Sequence, residues 1–209
     1  MIELKPLDTF ETYKEVPFKL WPPTQPIEYA VDLGIKAFGE SIYPGGIVDV
    51  NHVRIFVGYF DGVPVAFEWT YPKARFVVVQ DWMVNPDYCR LQRYIPGHSY
   101  CSDWFLMEKI KVYLNAYKGS GYDWLQLAGI AMGVEWLQLS KNRHVCSVGA
   151  RITQEHFYST CLFPEIPTWR TPPCSWMNHP EAWETVNQTD SIVPIQSEPE
   201  ILETWYSNV

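Results

Sequence analysis

The stretch that most constrains the fold is Asn51-His52-Val53-Arg54-Ile55-Phe56-Val57-Gly58. Val, Ile and Phe at this density suit a pleated, half-buried strand. Pro44-Gly45-Gly46 breaks the chain beforehand, and Gly62 to Thr70 and Arg75 to Trp82 have the same β character as Ile47 to Gly58. Three such runs in succession predict an antiparallel meander. A short Tyr59-Phe60-Asp61 loop between Gly58 and Gly62 centres the first hairpin on Phe60. His52 and Glu68 lie at equal distances from that centre, so they are expected directly opposite each other, on one face, with Cβ atoms about 4.5–5.5 Å apart. A carboxylate so placed accepts from one imidazole nitrogen and leaves the other free to act as a base.

Around this meander the periodicity predicts helices. Ile27, Ala30, Val31, Ile35 and Phe38 recur at helical spacing from Pro26 to Gly39, and Phe105, Leu106, Ile110 and Leu114 do so from Asp103 to Tyr117 behind Ser102 or Asp103 as cap. Tyr122 to about Leu139 and Cys146 to about Tyr158 are also helix-like, with a short helix around Pro180 to Val186, while residues 83–101 read as irregular. Pro6, Pro17, Pro22 and Pro23 mark residues 1–25 as a proline-rich arm. The domain proper is expected over residues 26–186. Glu181, Glu184, Asp190, Glu198, Glu200 and Glu203 follow the last basic residue, Arg170, and make 187–209 an acidic tail. The class is α+β: an antiparallel sheet with helices packed against it.

Cys146 opens a predicted helix whose first turn, Ser147-Val148-Gly149-Ala150, is small and allows close packing. The thiolate is the reactive form, and a helix N-terminus or a nearby imidazolium lowers a cysteine pKa from about 8.5 toward about 3.5–7.5. The basic loop Lys141-Asn142-Arg143-His144 precedes it. The backbone N–H of Cys146 is also placed to stabilise an oxyanion. Cys146 as nucleophile, His52 as base and Glu68 as orienter form a complete acyl-transfer set. Singly, each has a plainer role: buried thiol, strand-end histidine, surface acid.

The five cysteines are odd in number and lack framework spacing, so free thiols are expected. Neither His144, Cys146, His156 and Cys161 nor Cys89, His98 and Cys101 has the paired short spacing of a structural zinc site, and no metal or cofactor is expected. Tyr122, Asp123, Trp69 and Trp124 are candidate substrate-binding residues; Asp123 serves equally as a helix cap.

Net charge is −8, with no basic stripe, which excludes a phosphate backbone as partner. No run of eighteen apolar residues occurs, and Met1-Ile2-Glu3-Leu4-Lys5 lacks a signal-peptide pattern, so neither membrane insertion nor export is expected. The expected location is the cytoplasm, or a phage particle or lysate if the source is viral. The arm and the acidic tail are candidate docking segments for a protein partner.

The order His52 on a strand, Ala66-Phe67-Glu68 on the next, Gly121-Tyr122-Asp123 before a helix and Val145-Cys146-Ser147 opening another resembles circularly permuted NlpC/P60-type hydrolases of the papain fold. Thr171-Pro172-Pro173 is similar to the family's late Thr-Pro turn. The resemblance spans about residues 47–186. It departs at Val148, where an acidic residue is usual, and at Arg54, which replaces a small residue. It implies a papain-like fold, catalytic residues Cys146, His52 and Glu68, no cofactor, and cleavage of an amide bond in a peptide or peptidoglycan-like substrate through a thioester. Other branches act on lipid or acyl esters. From a different class, the chain can be a structural or binding component of a larger assembly that keeps the fold with little activity.

Overall fold

The computed structural model describes residues 3–12, 25–96, 102–135 and 143–186. Six strands form one antiparallel sheet: β1 (Thr9–Thr12), β2 (His52–Phe60), β3 (Val63–Glu68), β4 (Arg75–Val78), β5 (Cys89–Tyr94) and β6 (Trp183–Thr185), in the spatial order β4-β3-β2-β1-β5-β6. The helices are α1 (Gln25–Ile42), α2 (Asp103–Asn115), α3 (Trp124–Met132) and α4 (Cys146–Tyr158). The mixed α+β class is as the sequence predicts.

The β2–β3 hairpin turns on Asp61-Gly62, both with positive φ (52° and 81°), which suits the right-handed twist of the strands. Phe60 pairs with Val63, and from that turn alone Glu68 would face Ile55. A bulge between Phe56 and Gly58 shifts the register by one residue and brings Arg54 opposite Glu68. The expected pairing of His52 with Glu68 is therefore two residues out. The face is nevertheless the expected one, because His52, Arg54 and Glu68 share it by parity.

Three short strands depart from the sequence reading. Residues 9–12, assigned to the arm, form β1, which pairs with β2 on one side (Thr9↔Ile55) and β5 on the other (Thr9↔Gln92). All four of its residues are buried, since both faces of the sheet are covered there, so no polar alternation marks Thr-Phe-Glu-Thr as a strand. β5 lies within the stretch read as irregular, and β6 replaces the short helix expected near Pro180. Tyr94↔Trp183 joins β5 to β6, and Trp183 is buried. The remainder of residues 1–25 and all of the 187–209 tail lie largely or wholly outside the described residues.

α2 and α4 pack on the face that carries Val53, Ile55 and Phe67, in a core with Trp69, Ile110, Leu114, Ala150, Phe163 and Trp176. The opposite face carries Phe10, Phe56, Ala66, Val79, Met83 and Leu91. Burial of each such side chain contributes about 1.5–3 kcal/mol, which makes these two layers the main source of stability. α2 starts where Ser102 Oγ accepts from the Phe105 N–H, and α3 stops at Gly133, whose φ of 70° ends the helix short of the predicted Leu139. Residues 136–139 lie outside the described set. α4 begins at Cys146 and ends at Tyr158, as expected from the sequence. Among the described residues no helix is long and apolar enough to cross a membrane.

Candidate active site

α4 is brought over the ends of β2 and β3 by a close approach at Gly149. A Cβ there would lie 2.4 Å from the Trp69 ring, so only glycine lets the first turn of α4 rest on that indole. Trp69 is 1% exposed and packs edge-on against Phe67 at 4.8 Å. It is thus a core residue that seats α4. Ser147 Oγ donates to the Thr171 carbonyl at 2.6 Å, tying the same turn to the Thr171-Pro172-Pro173 segment.

Cys146, the first residue of α4, is 2% exposed. Val145 before it is extended, and its N–H donates to Gln126 Oε1 at 2.9 Å. On its β3 side the β2 ladder ends at Arg54↔Glu68, and the N–H of the next residue, Val53, lies near the Cys146 sulfur together with the N–H of Ser147. His52 lies beside the thiol, and the two groups act on each other by charge. Burial pushes the thiol up, but the His52 charge, the His52 hydrogen bond and the two backbone N–H groups bring it below its ordinary value. For His52, burial and the Arg54 charge push down, while the Cys146 sulfur and Glu68 raise the imidazole above its ordinary value. Both directions favour a thiolate–imidazolium pair.

Glu68 stands behind the imidazole. His52 Nε2 lies 3.4 Å from Glu68 Oε2. Arg54 Nε donates to the same Oε2 at 2.7 Å, and Arg75 Nε donates to Oε1 at 2.8 Å. Burial would raise the Glu68 carboxyl, yet His52 and the two guanidinium groups hold it well below the usual carboxylate range. It is therefore ionised at neutral pH.

Tyr122, just before α3, brings its hydroxyl to Cys146, where it meets both the thiol and the Cys146 backbone N–H. Burial and the adjoining sulfur push its phenol well above the ordinary value, so it remains a proton donor. Trp124 is 43% exposed and packs against Tyr122 (4.9 Å) and Tyr71 (5.7 Å), which gives an aromatic wall next to the thiol. Asp123 is fully buried and accepts from the Gln126 N–H at 2.8 Å. It caps α3, the plainer of the two roles the sequence allows it.

Arg54, Arg75 and Gln126 were not singled out by the sequence as parts of the site. Arg75 was within reach of such reasoning, since the β3–β4 register pairs it with Glu68. Gln126 was not, because its contact spans two elements. Among the described residues no group of three or more His, Cys, Asp or Glu side chains is arranged to hold a metal ion. Compared with models of protein families and with curated proteins, the chain matches none.

Proposed function

We propose that the protein is a cysteine hydrolase of the circularly permuted NlpC/P60, papain-like type, cleaving an amide bond in a cell-wall peptide. The observation that carries this reading is the juxtaposition of Cys146, at the start of α4, with His52, whose charges act on each other, with Glu68 behind the imidazole. In the first step the Cys146 sulfur attacks the carbonyl carbon, and the carbonyl electron pair moves to oxygen. The Cys146 N–H and the Tyr122 hydroxyl are the donors at hand for that oxyanion. His52 gives its proton to the departing amine as the C–N bond breaks, leaving a thioester. Water then attacks with His52 as base, releasing the acid and regenerating the thiol. Glu68 keeps the ring oriented throughout.

Incubation with peptidoglycan fragments, peptides and acyl esters, read by mass spectrometry, tests the reading. Cleavage of an amide that disappears in Cys146→Ala supports it; cleavage that survives Cys146→Ala contradicts it. Esters belong in the panel because α3 has no charged residue and exposes Trp124, which packs against Tyr122, along with Leu125 and Met132. A second reading, a binding component of a larger assembly with the fold but little activity, draws on the 2% exposure of Cys146, since a substrate must part its neighbours to reach the sulfur.

A further inference from the structure

Two donors compete for one oxygen of Glu68. Arg54 Nε is 2.7 Å from Oε2, and His52 Nε2 is 3.4 Å from the same atom. Charge-assisted N–H···O bonds lie at about 2.7–2.9 Å, so Arg54 has the strong bond and His52 the loose one. The guanidinium is fixed on its other sides as well. Nη1 donates to Thr12 Oγ1 at 2.8 Å, Cζ lies 5.0 Å over the Trp82 ring, and the side chain is 12% exposed. A histidine oriented by a carboxylate needs no such cation.

We propose that Arg54 is a positioning residue of the thiol–imidazole pair: by occupying Glu68 Oε2 it keeps the carboxylate from closing onto His52. Glu68 then sets the direction of the ring without locking a proton on it. The proposal rests on the reading of Cys146 and His52 as the reacting pair. His52 must surrender its proton to a leaving amine, and a short bond to a buried carboxylate makes it a poorer acid. The Arg54 charge also acts on His52 directly and in the same sense. The other groups facing the imidazole are Cys146 from α4, with Tyr122 beside it, Glu68 from β3 and the uncharged Thr12 from β1, while Arg75 from β4 acts through Glu68.

The experiment is the pH dependence of Cys146 alkylation by iodoacetamide in the full chain, for the parent, Arg54→Gln and Arg54→Lys, together with proton NMR of the imidazole N–H groups. Glutamine is polar but shorter and uncharged, so it cannot hold Glu68 Oε2 and Thr12 together as the guanidinium does. In Arg54→Gln the inflection from imidazolium deprotonation is expected to move up by about one pH unit, and in Arg54→Lys to stay with the parent. A far-downfield imidazole proton, the signature of a short His–carboxylate bond, is expected in Arg54→Gln and not in the parent. Superimposable profiles for parent and folded Arg54→Gln would overturn the proposal. So would a far-downfield proton already present in the parent, a measurement that needs no variant to fold. If Cys146 instead reacts as an ordinary thiol at every pH in the parent, the thiol–imidazole reading itself fails, a result distinct from either of these.

Discussion

At Cys146 two opposing effects meet: burial raises the thiol, while His52 and the N–H groups of Val53 and Ser147 lower it, and the second set wins. His52→Ala therefore removes the largest lowering influence and leaves burial unopposed by an imidazolium, so alkylation of Cys146 near neutral pH is expected to fall at least about tenfold. Glu68→Gln should keep the fold and lower turnover, whereas Cys146→Ala should abolish it; equal turnover in parent and Glu68→Gln, measured on any substrate found, contradicts the orienting role. A different residue bears on how stability varies with pH. Glu11 in β1 is fully buried, and neither carboxyl oxygen has a hydrogen-bond partner. Burial pushes it well above its ordinary value of 4.5, against a weaker pull from the Arg90 charge. A carboxyl raised on folding contributes stability that is fully present below its unfolded pKa and is lost as pH rises toward the folded one. Unfolding free energy from urea titration should accordingly fall as pH rises above about 4.5, and Glu11→Gln should remove that slope and gain stability at neutral pH. A pH-independent difference between parent and Glu11→Gln contradicts this.

Among the elements, α4 and the β2–β3 hairpin place the site, and they differ in how far the sequence exposes them. α4 was legible to the residue, because small residues follow Cys146 and a basic loop precedes it. The hairpin was legible in its strands and in the face shared by His52 and Glu68, but not in its register. Gly58 and Gly62 both suggest a turn, and no sequence pattern announces the bulge that returns Glu68 to the His52 face. Arg54 was visible only as a departure from a resemblance, since its role depends on that bulge. β1, β5 and β6 were missed because strands of three to six residues, buried on both faces or rich in polar residues, carry too few periods for alternation to show. The contact of α4 with Trp69 gives a prediction whose sign is informative. Gly→Ala inside a helix ordinarily gains about 1 kcal/mol. At Gly149 the new methyl meets a rigid indole, so Gly149→Ala is expected to cost about 1–3 kcal/mol by urea unfolding and to slow Cys146 alkylation. A gain in stability would show that α4 is free to move off Trp69.

On the scale of the whole molecule, a central antiparallel sheet carries His52, Arg54 and Glu68 on one face near the end of β2, and α4 brings a thiol to that end from the other layer. The aromatic residues divide accordingly. Trp69, Trp176 and Trp183 fill the core, while Tyr71 and Trp124 remain exposed beside Tyr122. Among the described residues the free thiols are Cys89, Cys146 and Cys174, all buried, and the exposed Cys161. Accessibility alone would make Cys161 the fastest to react, and burial pushes Cys89 and Cys174 up. Activation by His52 predicts the reverse order. The most direct measurement is therefore the site-resolved rate of iodoacetamide labelling at pH 7, followed by peptide mass spectrometry across all five cysteines. Cys146 labelling ahead of Cys161, with that lead lost in His52→Ala, is the result expected of an activated nucleophile; Cys161 labelling first, with Cys146 as slow as Cys89 and Cys174, would contradict it.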